Sequence, residues 1–278
     1  MAVPSFDHGT PTPWIPGSPE PVRAPHAHEH PPPWPLFATD LGRAVAGVGL
    51  TAVGRALLRA APSGDGHPVL VLPGLGADDR STGVLRRVLR ERGYRVHGWR
   101  LGFNLGPTEQ VVEGLPRRVD ELRDRYGTRV SVVGWSLGGV YARSVARQRP
   151  DSVRQVITLG SPIRLTHPAQ TRASAFYLRH SHRHVPHDRL PPPEVTQPPL
   201  PVPTTSVYSR WDGIVSWRAC LEQPGIRREN VAVVGSHFGL GRHPAALWVV
   251  ADRLAQPEGE WRPFRAPPPL RALFPSAD

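Results

Sequence analysis

The chain has 278 residues, of which 39% are hydrophobic, and its 34 basic and 23 acidic side chains give a net charge of +11. This apolar content is typical of a globular protein and excludes a chain that is disordered throughout. The charge does not indicate nucleic-acid binding, because all 34 basic residues are dispersed arginines and no zinc-finger spacing accompanies them. The single cysteine, Cys220, cannot form an internal disulfide and therefore implies no oxidising compartment.

Proline is strongly over-represented, with 35 residues, more than twice the average share of about 5%. Eleven prolines lie in residues 1–36, ten in 162–203 and six in 257–278. We therefore predict a disordered Pro- and His-rich tail over 1–36, a cap insertion over 163–203, and a C-terminal tail over 256–278. The remaining stretches can form ordinary helices and strands.

An amphipathic helix followed by a linker is predicted for residues 37–66. Its uncharged stretch, 44–54, is too short to cross a membrane, which takes about 18 residues. We expect the helix to pack against the domain, with peripheral membrane contact as the alternative. The start of the chain lacks the basic and apolar regions of a signal peptide, so we expect a cytoplasmic protein. The apolar positions that share a helical face are Leu41, Val45, Val48, Ala52 and Leu57.

Between residues 67 and 255, short apolar strands alternate with amphipathic helices. This alternation predicts an α/β fold with a mostly parallel sheet covered by helices on both faces. The predicted strands are 68–72, 94–99, 129–133, 153–159, 204–208 and 230–234. The predicted helices are 81–92, 109–126, 138–149 and 244–254.

A candidate nucleophile, Ser136, lies in the G-x-S-x-G motif of residues 134–138, between the third strand and the third helix. In this context the serine stands on a strained turn at the sheet edge, and the flanking glycines leave room for that turn. The helix that follows presents free N–H groups, which favour developing negative charge. We predict that the backbone N–H groups of Leu137 and of Leu75, in the loop after the first strand, form an oxyanion hole.

A serine nucleophile needs a base and an orienting carboxylate. Of the 13 histidines, His237 is the best candidate base, because it lies in a glycine-flanked loop just past the last strand. His243, closer to the final helix, is the weaker candidate. Asp212 lies in a turn just after the strand 204–208, so the order Ser136, Asp212, His237 is that of loops on successive strands.

Residues 67–255 resemble the α/β-hydrolase superfamily, through the motif Gly134-Trp135-Ser136-Leu137-Gly138-Gly139 and the loops described above. Residues 140–143 and 156–162 resemble more narrowly its bacterial lipase and esterase branch. The resemblance implies a serine carboxylic-ester hydrolase that has a mobile cap, uses no cofactor and acts on a small-molecule ester or lipid. Two alternatives stay open: an acyltransferase with the same triad, and a catalytically silent binding protein.

Two histidine-rich strings could suggest a metal site, since alternating histidines can bind transition metals. They fall in the predicted tail and cap, outside any predicted strand, and are mixed with arginine or proline. We therefore expect solvated low-complexity sequence and no metal site. The strings comprise His26, His28 and His30 in the tail, and His180, His182, His184 and His187 in the cap.

Overall fold

The structure, a computed structural model, describes residues 30–165 and 170–275. In this part of the chain, six parallel strands form one sheet in the order β2-β1-β3-β4-β5-β6. The predicted fold class is confirmed, with a mostly parallel sheet and helices on both faces. The strands are β1 (Pro68–Leu72), β2 (Arg95–Gly98), β3 (Val130–Trp135), β4 (Val153–Leu159), β5 (Thr204–Tyr208) and β6 (Arg228–Ala232).

The helices cover both faces because successive side chains of each strand point to opposite sides. In β1, Val69 and Val71 join the apolar cluster beneath α2 and α6, whereas Leu70 and Leu72 join the cluster beneath α3 and α4. None of the helices in the described residues is long and apolar enough to cross a membrane. The helices are α1 (Trp34–Arg59), α2 (Gly83–Glu91), α3 (Glu109–Tyr126), α4 (Leu137–Gln148), α5 (Ser174–Arg179) and α6 (Pro244–Leu254).

Strand β6 shows where an apolar pattern misplaces a boundary. The strand starts at Arg228, two residues before the predicted start, and pairs from Thr204↔Arg228 onward. As an edge strand it is paired on one side only, and its first residues, Arg228 and Glu229, are half-buried and polar. Backbone pairing rather than an apolar run therefore defines its beginning.

Helix α1 packs against the domain, but the first part of the face that the sequence predicted is exposed. Leu41 and Val45 are 63% and 64% exposed, whereas Leu57 packs on a core cluster, and the side chains of Val48 and Ala52 lie outside the described ones. The helix instead buries Asp40 and Ala44, which lie four residues apart on the same side. This side of α1 packs on the domain for two reasons. The short side chain of Ala44 allows close approach, and the Asp40 carboxylate accepts hydrogen bonds from backbone N–H groups of the domain.

The two predicted tails also differ from the structure. Helix α1 begins at Trp34, inside the predicted 1–36 tail, whereas residues 1–29 lie outside the described part of the chain. At the other end, the described residues of 256–278 lie against the domain, where Leu270 is buried and Phe264 packs on the core. Proline prevents regular α-helix or strand in this segment, but it does not prevent the segment from packing against the domain.

The cap, as far as residues 163–165 and 170–203 describe it, is attached by a buried cluster of ion pairs. Arg143 Nε lies 2.6 Å from Glu194 Oε2, and Arg147 Nε lies 3.0 Å from Glu194 Oε1. Glu222 pairs with the other end of the Arg143 guanidinium. Burial raises the pKa of Glu194, but the hydrogen bonds and charges of the two arginines outweigh it and lower the pKa below its usual value.

Candidate active site

The structure brings the predicted site residues to one edge of the sheet. The strand order reverses between the neighbours β1 and β3, and loops that follow such neighbouring strands open a crevice at their carboxyl ends. Leu75 follows β1, and Ser136 follows β3 directly. Asp212 follows β5, and His237 follows β6, on the same side because all six strands are parallel.

Ser136 occupies a strained turn between β3 and α4. Its φ of 53° and ψ of −125° lie in a region that residues with a side chain rarely adopt. The turn is held by the Ser136 N–H, which donates to the Leu159 carbonyl at 2.8 Å. A Cβ at Gly138 would lie 2.6 Å from the Leu72 carbonyl oxygen, and one at Gly134 would collide with the Gly138 backbone. The two glycines are therefore required by close approach of the backbone.

Asp212 and His237 form a buried pair beside this turn. His237 Nδ1 lies 2.6 Å from Asp212 Oδ2, and each residue is only 3% exposed. The other carboxylate oxygen accepts hydrogen bonds from the backbone N–H groups of Ile214 and Val215, both at 2.8 Å. With both oxygens engaged, the carboxylate is fixed in a position where it orients one nitrogen of the imidazole.

The pKa of His237 is set by opposing effects. Burial lowers it, since a charged imidazolium is poorly solvated in the interior. The negative charge of Asp212, the hydrogen bond it accepts, and the charge of Asp40 outweigh burial and raise the pKa above its ordinary value. The pair therefore favours a protonated imidazole more than water does.

The loops that carry the acid and the base are joined by several hydrogen bonds. Ser209 Oγ donates to the Gly235 carbonyl at 2.6 Å, which joins the two loops directly. Trp135 Nε1, from the turn before Ser136, donates to the His237 carbonyl at 3.2 Å. Asp40 of α1 also reaches both loops. Sequence patterns missed Asp40, although it precedes Ala44, Gly54 and Leu58 at helical spacing.

The loop that contains Leu75 is held by Asn104, a second residue that sequence patterns missed. The Asn104 side chain donates to the Pro73 carbonyl at 2.9 Å, and its backbone exchanges hydrogen bonds with Gly76 and Ala77. Leu137 is the first residue of α4, where backbone N–H groups have no partner within the helix. Within residues 30–165 and 170–275, neither the Leu75 nor the Leu137 N–H donates to a protein acceptor.

A cavity of about 990 Å³ opens onto Ser136. Most of its lining is apolar and comes from α3, α4 and the cap, which supplies Tyr177 and Leu190 among others. The cap also reaches the Leu75 loop, because a Cβ at Gly76 would lie 3.4 Å from the Phe176 ring. The apolar side chains from α3 and α4 that line the cavity are Val111, Val112, Leu115, Val140, Tyr141 and Val145.

The other candidate histidines lie elsewhere: His243 Nδ1 is buried without a hydrogen-bond partner among the described residues, and two cap histidines contact backbone carbonyls. His243 precedes α6, where burial lowers its pKa, and it does not contact Asp212. In the cap, His180 Nδ1 lies 2.9 Å from the Phe176 carbonyl, and His184 Nε2 lies 2.8 Å from the Leu105 carbonyl. In the part of the chain that the structure describes, no three His, Cys, Asp or Glu side chains are grouped as metal ligands.

Comparisons with known proteins identify the fold. The sequence matches no family model and no curated protein. The structure is similar to lipase BlEst2 of Bacillus licheniformis, with a TM-score of 0.50 and 14% identity, over 71% of this chain and 95% of the lipase. It is also similar to lipase B of Aspergillus fumigatus, with a TM-score of 0.50 and 16% identity, over 73% of this chain and 57% of that one. The chain therefore has the α/β-hydrolase fold that its sequence predicts.

Proposed function

We propose that the protein is a serine hydrolase that cleaves carboxylic esters through an acyl-enzyme. The observation that supports this proposal most directly is the buried Asp212–His237 pair beside the strained turn of Ser136, a residue that lines an apolar cavity. The two similar structures are both those of lipases, which agrees with this chemistry.

In the first half-reaction, Ser136 Oγ attacks the ester carbonyl while His237 Nε2 accepts the serine proton. Asp212 engages His237 through Nδ1, so that Nε2 is the nitrogen left to accept the serine proton. The imidazolium that forms is stabilised by the Asp212 carboxylate, and it then gives its proton to the departing alcohol. The acyl group remains bonded to Ser136.

The developing oxyanion is stabilised by the backbone N–H groups of Leu75 and Leu137. A single such donor is typically worth about 3 kcal/mol in the transition state. In the second half-reaction, His237 removes a proton from water, the resulting hydroxide attacks the acyl carbonyl, and Ser136 leaves with the proton restored. No metal or organic cofactor takes part in any of these steps.

We assign the cavity to the apolar part of the substrate, a small-molecule ester or a lipid. A volume of about 990 Å³ is at the upper end of pockets for drug-sized ligands and exceeds what a short acyl group needs. Because cap residues such as Tyr177 and Leu190 line it, we infer that residues 163–203 govern substrate entry.

The proposal is tested by labelling the full chain with a fluorophosphonate, which reacts with an activated serine. We expect stoichiometric labelling at Ser136 and none in Ser136→Ala, whose fold is checked by circular dichroism. Hydrolysis of p-nitrophenyl esters of increasing chain length, with and without an added alcohol, then identifies the reaction.

Each outcome separates the candidate functions. A folded wild-type chain that does not label at Ser136, or a Ser136→Ala variant with full activity, would contradict the proposal. Labelling followed by transfer of the acyl group mainly to the added alcohol would indicate an acyltransferase. Folded protein with neither labelling nor turnover would indicate a binding protein.

A further inference from the structure

Asp40, on the buried side of helix α1, contacts the loops of both the acid and the base. Its Oδ2 accepts hydrogen bonds from the N–H groups of Gly213 and His237, each at 2.9 Å. Its Oδ1 accepts one from Phe238 N–H at 3.0 Å. Asp40 has no exposed surface, so these three donors and Arg43, at 3.4 Å, replace water around the carboxylate.

The acid and base loops lie directly against the first turns of α1. A Cβ at Gly213 would collide with the carbonyl of Leu36, and a Cβ at Gly239 would lie 3.7 Å from the Ala44 Cα, an ordinary contact distance. Each glycine is one or two residues from a site residue, Asp212 or His237. The first turns of α1 thus form a surface against which both loops are seated.

We propose that Asp40 is a positioning residue, which fixes the Asp212 and His237 loops relative to each other by binding a backbone N–H of each. This inference rests on the proposed hydrolase function. Asp40 acts through these loops and not on the substrate, and the hydrogen bond to the His237 N–H holds the backbone of the base itself. The negative charge of Asp40 also raises the pKa of the His237 imidazole.

The titratable and charged groups that face His237 are few. Asp212 comes from the acid loop, and Asp40 with its partner Arg43 comes from α1. The neighbours from the β3 and β4 ends, Trp135 and Gly160, carry no titratable group. Both carboxylates raise the pKa of His237, so removal of the Asp40 charge lowers that pKa.

The test is the rate constant of Ser136 inactivation by a fluorophosphonate, measured against pH for wild type and Asp40→Asn. We expect the plateau rate to fall by about 10- to 100-fold, because the base is displaced from the nucleophile. We also expect the acidic limb of the profile to move to lower pH. The rate constant reports only folded molecules, since unfolded chains reduce the labelled fraction and not the rate.

Asp79→Asn is the matched control, because Asp79 also accepts two backbone N–H groups, those of Trp99 and Arg100. It should leave the inactivation profile at its wild-type position. An Asp40→Asn profile that coincides with wild type would overturn the inference, whatever its effect on melting temperature. Absence of labelling in wild type would instead overturn the proposed hydrolase function.

Arg43→Met gives a second measurement, of the Asp40 charge acting on His237 and of the acid loop seated on α1, if Asp40→Asn does not fold. Arg43 Nη1 donates to the Trp211 carbonyl beside Asp212 at 2.8 Å, so a plateau rate equal to that of wild type would contradict the positioning role of this contact surface. Arg43 is partly exposed and lies beside the Asp40 carboxylate, so its removal leaves more of the Asp40 charge uncompensated. We expect the acidic limb to move to higher pH, opposite to the Asp40→Asn shift. An unchanged limb in Arg43→Met would contradict an electrostatic link between Asp40 and His237.

Discussion

The sheet edge and the cap enclose the same cavity, but ion pairs contribute much more to holding the cap than to holding the sheet edge. At the sheet edge, Ser136, Asp212 and His237 follow buried parallel strands, and backbone hydrogen bonds fix their loops. The described cap has one six-residue α-helix and short 3₁₀ turns, and side-chain ion pairs attach it to α3 and α4. A few backbone contacts, such as the Thr171↔Val215 bridge, supplement these ion pairs.

The difference means that the two walls respond to different perturbations. Strand pairing and buried apolar contacts depend weakly on pH and salt, whereas ion pairs depend on the charge of each partner. The ion pairs of the cap also differ in burial: the Glu194 cluster is buried, whereas the pairs of Arg189 with Glu109 and Glu113 are exposed. Exposed pairs contribute little because water and salt screen them.

The largest expected effect is at the sheet edge. His237→Ala should lower kcat for ester hydrolysis by on the order of 10⁴-fold, because Ser136 loses its base. The buried His243→Ala is the matched control and should retain activity, since His243 does not contact Asp212. Steady-state kinetics with a p-nitrophenyl ester measure both variants. Equal losses in the two variants would contradict the assignment of His237.

A smaller effect is expected from the cap. Glu194→Gln removes the charged partner shared by the buried Arg143 and the half-buried Arg147, which should cost about 3 kcal/mol. Cleavage by trypsin after Arg183 requires the cap to open locally, so its rate follows the population of the open form. A loss of about 3 kcal/mol raises that population, and with it the cleavage rate, about 100-fold. Circular dichroism should show that the sheet stays folded.

The matched control for the cap is Glu109→Gln, which breaks an exposed pair with Arg189. We expect its cleavage rate to stay close to that of wild type, because exposed pairs contribute little. If Glu109→Gln and Glu194→Gln opened the cap equally, burial would not distinguish the two attachments.

The smallest expected effect is the pH dependence of the Glu194 contribution. Because the folded-state pKa of Glu194 is lowered, its stabilisation is present above the unfolded pKa of about 4.5 and is lost as the pH falls through the folded value. The difference in unfolding free energy between wild type and Glu194→Gln should therefore shrink below about pH 4.5. Urea unfolding from pH 7 to pH 3 measures it, and a constant difference would contradict the charge-based attachment.

The sequence was sufficient for the sheet and for the nearness of the three site residues. Strands β1, β4 and β5 are buried apolar runs whose bounds match the predicted ones, because hydrophobic pattern and burial coincide there. Parallel strands place the loops after β3, β5 and β6 at one edge, so motif order alone predicts that Ser136, Asp212 and His237 lie together.

Long-range polar contacts could not be predicted in the same way. Apolar periodicity misplaced the contact surface in the first turns of α1, because the buried side there is marked by Asp40 and Ala44 rather than by large apolar residues. Asn104 and Glu194 are single polar residues whose partners are backbone carbonyls or distant arginines. No local pattern encodes such partners, because they become neighbours only after the chain has folded.

The Asp40 contacts also constrain the order in which the site can assemble. Their partners lie 173 to 198 residues further along the chain. Contacts of such separation require closure of a long loop and form late in folding. During synthesis, α1 emerges early, but the Asp40 carboxylate has none of these backbone N–H partners until the segment around His237 has also been made. The acid and base loops can therefore reach their final positions only after nearly the whole domain has folded.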